Sequence, residues 1–225
     1  MQLWIGNKNY SSWSLRPWLL MQHTGIAFDE VKLRLSFTAD SEFKRRLAAV
    51  SPAGRVPVLI DGDLSVWDTL AIAEYLNERH PDKQLWPADR KARANARSMC
   101  AEMHSGFSAL RSGCPMNIEA ALPDVGARLL RDDANLVADL TRINAMWAQA
   151  LASSGGPFLF GTFTVADAYF APVCARIRTY ALPVPREVAA YVERIFALPA
   201  MQRWVADALA ENDWLDEDEP YRSRA

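Results

Sequence analysis

The run Pro57-Val58-Leu59-Ile60-Asp61-Gly62-Asp63-Leu64-Ser65-Val66-Trp67-Asp68-Thr69 decides how this chain folds. Two short apolar stretches flank Asp61-Gly62-Asp63, and Asp-Gly supplies the positive φ that a tight hairpin turn needs, so the run predicts a pair of antiparallel strands. Asp68 and Thr69 then offer side-chain oxygens to the unpaired amides of a helix start. Ile72, Ala73, Tyr75 and Leu76 give that helix, Leu70 to Arg79, an inner face, and Pro81 stops it. Toward the N-terminus, Gln2 to Gly6 is an apolar run suited to a buried strand, and Leu15 to Thr24 has helical spacing closed by Gly25. Ala27 to Leu35 alternates Phe28, Val31, Leu33 and Leu35 in the manner of a second strand, which makes a βαβ unit. The charged segment Ser41 to Ala49 links this unit to the hairpin as an irregular or short helical piece.

Beyond residue 81 the composition changes. Residues 1–80 hold 7 alanines, whereas the 138 residues from Ala88 onward hold 28, and alanine is the strongest helix former. Ala96, Met99, Met103, Phe107 and Leu110 form one apolar stripe, read as a single helix ending before Cys114-Pro115. Leu136, Leu140, Ile143, Trp147 and Leu151 form a second, stopped by Ser153-Ser154-Gly155-Gly156-Pro157. Further helical segments fall at Ala166 to Tyr180, Glu187 to Ala197 and Met201 to Ala210, for a bundle of about five or six helices. The charged Asp216 to Ala225 reads as a solvated tail. The fold class is therefore α/β followed by all-α: a thioredoxin-like βαβαββα domain at 1–80, a linker at 81–87 and a helical domain at 88–225.

Composition excludes several functions. With 27 acidic and 25 basic residues among 225, the net charge of -2 provides no basic field for a phosphate backbone, so no nucleic-acid partner is expected. No apolar run reaches the ~18 to 20 residues of a membrane span, and residues 1–20 are too interrupted by polar residues to be a signal core, so a soluble, cytoplasmic protein with no membrane partner is expected. Cys100, Cys114 and Cys174 are too far apart for a metal site and odd in number, so neither metal nor disulfide framework is expected.

Four local patterns resemble the cytosolic glutathione transferases. Tyr10-Ser11-Ser12-Trp13-Ser14-Leu15-Arg16 is similar to the serine-type signature, most of all its zeta form, with adjacent serines and an arginine five residues after the first. Ser51-Pro52-Ala53-Gly54-Arg55-Val56-Pro57 is similar to the segment whose proline before the third strand is cis. Asp68-Thr69 matches the acidic residue and Ser/Thr that open helix 3, and Thr164-Val165-Ala166-Asp167 the capping box of the helical domain. The resemblance spans essentially the whole chain and implies glutathione as cosubstrate, a small hydrophobic electrophile as second substrate, and a homodimer.

It also assigns roles. A free thiol with a pKa of ~8.5 is only about 3% thiolate at pH 7, and a shift of about two units, worth ~2.7 kcal/mol, would activate it. Ser11 is expected to donate a hydrogen bond to the sulfur, with Ser12 as the alternative and Ser14 as the helix cap. Val56 before Pro57 would pair its backbone with the ligand as an exposed strand edge, Thr69 and the helix amides would hold the γ-glutamyl carboxylate, Asp68 the amine, and Arg55 the glycine carboxylate. Trp13, Met103, His104, Phe107 and Arg111 are the candidates for the electrophile pocket. His23 and His80, near helix ends, read as dipole partners. Trp13 stands where the zeta pattern commonly has cysteine, so disulfide chemistry is not expected. Two other functions stay open: a glutathione-dependent isomerase of the maleylacetoacetate type, whose basic substrate contact is not matched although Arg176 and Arg178 lie nearby, and a non-catalytic glutathione-fold binding protein.

Overall fold

The computed structural model describes residues 1–223 and begins with β1 (Gln2–Ile5), α1 (Ser12–Thr24) and β2 (Asp29–Lys32), with β2 parallel to β1. The Ala27 to Leu35 alternation is longer than the paired strand, but the Leu33 amide still bonds the Ile5 carbonyl at 2.9 Å. After α2 (Glu42–Ala48), the expected hairpin forms from β3 (Val58–Asp61) and β4 (Leu64–Trp67), turning at Gly62 with φ 62°. Helix α3 (Thr69–Arg79) follows, and the sheet order is β2-β1-β3-β4 with β3 antiparallel to both neighbours. This is the thioredoxin-like domain expected from the run at 57–69.

The helical domain contains α4 (Arg90–Ser105), α5 (Ser108–Gly113), α6 (Pro123–Asp132), α7 (Ala134–Ser154), α8 (Val165–Thr179), α9 (Arg186–Ala197) and α10 (Pro199–Ala210). The stripe from Ala96 to Leu110 is divided between two helices. Gly106 is extended, and a Cβ there would approach the Glu102 carbonyl oxygen to 2.8 Å; Phe107 then turns left-handed at φ 54°. Helix α6 is an addition to the expected set. It starts at Pro123 and carries Gly126 against the end of α8, where a Cβ would lie 1.9 Å from the Tyr180 carbonyl oxygen.

One apolar core joins the two domains. Helix α1 buries Leu15, Trp18, Leu19, Leu20 and Met21, each worth about 1.5–3 kcal/mol of transfer free energy. It packs against α8, which is buried along all but one of its residues, and against α10, where the Trp18 and Trp204 rings meet edge-on at 5.1 Å. The Thr164–Asp167 capping box starts α8 as expected.

Two further expectations need correction. Asp216 to Ser223 is not a solvated tail: Glu219 is buried, and the Tyr221 hydroxyl donates to the Gly113 carbonyl at 2.7 Å. The last two positions of that stretch, 224–225, lie outside the described residues. His23 packs against Phe163 with ring centroids 4.0 Å apart and the planes tilted by 39°, and burial pushes its pKa down, which favours a neutral ring over a charged dipole partner.

Candidate functional site

The loop from Asn7 to Ser11 connects β1 to α1 and turns the two serines toward the domain seam. Ser11 is the N-cap of α1: its Oγ accepts from the Ser14 amide at 3.4 Å and donates to Ser14 Oγ at 2.7 Å. Ser14 is thus one turn inside the helix, not the cap, and its Oγ accepts from the Gly6 amide at 3.1 Å. Ser12 is the first helical residue and half-buried. A ligand anion here meets the positive end of the α1 dipole.

Asp68 and Thr69 open α3. Asp68 caps it through Oδ1 to the Leu70 amide at 2.9 Å and adopts φ 74°, a left-handed conformation that costs a non-glycine residue energy and is found disproportionately at functional sites. The Thr69 hydroxyl points inward, 2.6 Å from the Tyr169 hydroxyl and 3.5 Å from Arg16 Nη1. His104 bridges the domains, with Nδ1 2.9 Å from Tyr169 Oη and Nε2 3.3 Å from Asp68 Oδ2. Arg16 lies between the Trp13 and Tyr169 rings, 4.1 Å from each centroid, and its Nε is buried with no hydrogen-bond partner among the described residues. Burial, aided by the nearby Arg111, pulls its pKa down to about 10.

Two adjoining clefts lie along the seam. The first, about 410 Å³, is lined by Arg55, Val56, Pro57, Asp68, Thr69 and His104, together with Trp13 and Arg111. The second, about 680 Å³, adds Ser11, Ser12, Tyr10, Phe37, Lys44, Met116, Arg176 and Asp218 to the shared Trp13, Arg55, Val56 and Arg111. Ten of the twelve expected site residues therefore meet in one place. Met103 and Phe107 do not: they are 1% and 7% exposed and belong to the core, because the break at Gly106 turns that stripe into the bundle. The strand-edge expectation also needs revision. Strand β3 is interior to the sheet, and Val56 lies before Val58, the first paired residue, so its backbone precedes the ladder and takes no part in it. Val56–Pro57 is cis. A separate groove of about 610 Å³ between α4 and α7 holds none of these residues.

The second cleft is cationic on its inner wall. Arg176 is 5% exposed, donates to the Cys114 and Pro172 carbonyls at 2.8 and 3.2 Å, and has no carboxylate partner among the described residues. Burial, with Arg16 and Arg111 nearby, pulls it down to about 10. Asp218 faces the same cleft with a buried oxygen that has no hydrogen-bond partner among the described residues, and burial beside Glu217 and Glu219 pushes its pKa up to about 6. Sequence reasoning gave no site role to Tyr10, Arg176, Tyr169 or Asp218. Tyr10 stood inside the serine motif and Arg176 was noticed, whereas the partners of Tyr169 and Asp218 are far away in the chain.

Fold and cleft together define a two-domain protein in which a thioredoxin-like module, with the N-termini of α1 and α3, meets a helical bundle across a polar seam. Residues 10–79 match the sequence family Glutathione S-transferase, N-terminal domain, and residues 129–207 match Glutathione S-transferase, C-terminal domain. The chain belongs to the glutathione S-transferase family. Among curated proteins, it is 33% identical over 101 residues to a probable maleylacetoacetate isomerase of Caenorhabditis elegans, covering 45% of each chain. It is also 33% identical over 93 residues to glutathione S-transferase Z2 of Arabidopsis thaliana, covering 39% of this chain and 40% of that one. The matched stretch thus spans less than half the length of these relatives. Among solved structures, a glutathione transferase homolog from Burkholderia gl BGR1 with bound glutathione aligns over 94% of this chain and 98% of its own at 24% identity and a TM-score of 0.68. Ure2p in complex with glutathione aligns over 90% and 96% at 16% identity, also with a TM-score of 0.68. These two likenesses concern the fold.

Proposed function

We propose that the protein is a glutathione transferase that binds glutathione in the smaller cleft and adds its thiolate to a small electrophile seated in the larger one. The observation that carries this reading is the convergence of the serine loop, the Val56 backbone and the start of α3 on adjoining clefts. Glutathione brings the nucleophilic thiol; the chain supplies the means of holding it and keeping it ionised. The amides at the start of α3 and Asp68 suit a carboxylate and an ammonium side by side, Arg55 suits a second carboxylate, and the backbone of Val56 suits a peptide.

Ser11 acts as a hydrogen-bond donor to the sulfur. Its hydroxyl donates to Ser14 Oγ at 2.7 Å, and a hydroxyl pair can reverse polarity without losing a bond: Ser14 donates to Ser11, and Ser11 donates to the thiolate. Ser12 is the alternative donor. The family also motivates a cytoplasmic homodimer with no metal.

One observation favours a second reading. The stretch similar to the nematode's probable maleylacetoacetate isomerase, together with the Arg111 and Arg176 wall, suits a keto acid isomerised with glutathione regenerated. Calorimetric binding of glutathione, followed by conjugation of a chlorodinitrobenzene-type electrophile, tests the transferase reading; binding without conjugation, with turnover of a maleyl-keto acid and no net loss of glutathione, selects the isomerase. Absence of glutathione binding returns the chain to a non-catalytic member of its fold.

A further inference from the structure

The segment after α10 is laced to the loop that carries the serines. Asn7 Nδ2 donates to Asp213 Oδ2 at 2.9 Å, the Lys8 amide to Glu211 Oε1 at 2.8 Å, and the Tyr10 hydroxyl to Glu219 Oε1 at 2.9 Å. Glu219 is 5% exposed, and a carboxylate so buried is costly unless donors surround it. Three do: besides Tyr10, Asn117 Nδ2 lies 2.8 Å and Arg222 Nη1 3.4 Å from the same oxygen. Asn117 opens a loop that itself grips the serine loop, with the Ile118 amide on the Asn9 carbonyl at 3.2 Å and the Glu119 amide on Asn9 Oδ1 at 2.9 Å. Glu219 is the point where three distant segments of chain meet.

Tyr10 transmits that point to the serines. Its carbonyl accepts the Ser12 amide at 2.9 Å, and the Tyr10 and Ser11 amides share the Asn7 carbonyl at 3.2 and 2.8 Å. Tyr10 is thus bound into the turn that sets Ser11, the N-cap of α1, and Ser12, its first residue. Burial, and then the bond to Glu219, push the Tyr10 hydroxyl up to about 12, so it remains a donor throughout the neutral range.

We propose that Glu219 is a positioning residue: acting through Tyr10, it holds Ser11 and Ser12 in the geometry that stabilises the thiolate, and the segment after α10 thereby completes the site. The same anchor places Asp218 in the wall of the larger cleft. This inference rests on the transferase reading above.

The test is an ultraviolet absorbance titration of the glutathione thiolate bound to the full-length protein. Tyr10→Phe removes only the hydroxyl, and Glu219→Ala removes the acceptor. Both are expected to raise the pKa of the bound thiol by about one unit, a tenfold loss of thiolate below that pKa, while the glutathione dissociation constant changes less than about threefold. Glu219→Gln keeps an oxygen for the Tyr10 hydroxyl and should titrate like the native protein. If Glu219→Ala fails to fold, Tyr10→Phe carries the test. A Tyr10→Phe protein with a lower melting temperature but an unchanged thiol pKa overturns the inference alone. A native protein that binds no glutathione overturns the transferase reading together with it.

Discussion

Asp68 divides its two carboxylate oxygens between domains, Oδ1 capping α3 and Oδ2 lying 3.3 Å from His104 Nε2 on α4. The other ring nitrogen, His104 Nδ1, lies 2.9 Å from the Tyr169 hydroxyl, which is in turn 2.6 Å from the Thr69 hydroxyl. These contacts from Asp68 to His104 to Tyr169 to Thr69 tie the first two residues at the start of α3 to the helical domain.

Tyr169→Phe breaks that chain of contacts at its most buried member, takes the neighbour of His104 Nδ1 away and leaves the Thr69 hydroxyl only Arg16 Nη1, at 3.5 Å. The expected cost is about 1–3 kcal/mol of unfolding free energy in urea, with a raised KM for glutathione.

Asp68→Ala should behave differently. The Asp68 and His104 side chains are 43% and 30% exposed, and solvent-screened pairs of this kind contribute little to stability. A rise of about tenfold in KM for glutathione is expected, together with a loss of about 0.5–2 kcal/mol in urea from the missing α3 cap; an unchanged KM would count against the assignment of Asp68 to the ligand amine.

Gly126→Ala puts a methyl group 1.9 Å from the Tyr180 carbonyl oxygen, and backbone has no way to give. A loss above about 2 kcal/mol of stability is expected, with glutathione affinity intact in the folded fraction.

How far the molecule could be read from its residues follows from where each determinant lies. The Asp61-Gly62 turn, the Gly25 stop and the Thr164–Asp167 capping box are local devices, complete within a few residues, and each forms as read. The start of α6 had a local signal too, Pro123 followed by Asp124, but Gly126 reads as a helix breaker until the Tyr180 carbonyl is seen against it. Glu219 reads as tail because charge is normally solvated; its burial depends on Tyr10 and Asn117, both more than a hundred residues away. Likewise, the stripe holding Met103 and Phe107 gave the right apolar face, but only tertiary structure assigns that face to the core rather than to the cleft.

Asp218 and Asp167 give stability a definite pH dependence. Burial raises both pKa values from 3.8 to about 6, so the folded state binds these protons more tightly than the unfolded state does. Their contribution is therefore full below 3.8 and is lost as pH rises through about 6. Asp218→Asn removes one ionisation from the cleft wall: its urea midpoint should exceed the native one above pH 6 and converge with it near pH 4. A constant difference across that range would contradict the assignment.

The claim on which everything else rests is that the serine loop stabilises a glutathione thiolate. The most direct measurement is the thiolate absorbance titration of bound glutathione on the native protein, Ser11→Ala and Ser12→Ala. A native thiol pKa well below the free value of ~8.5, raised by about one unit or more in Ser11→Ala, is the predicted result. A thiol that titrates identically in all three proteins would contradict it.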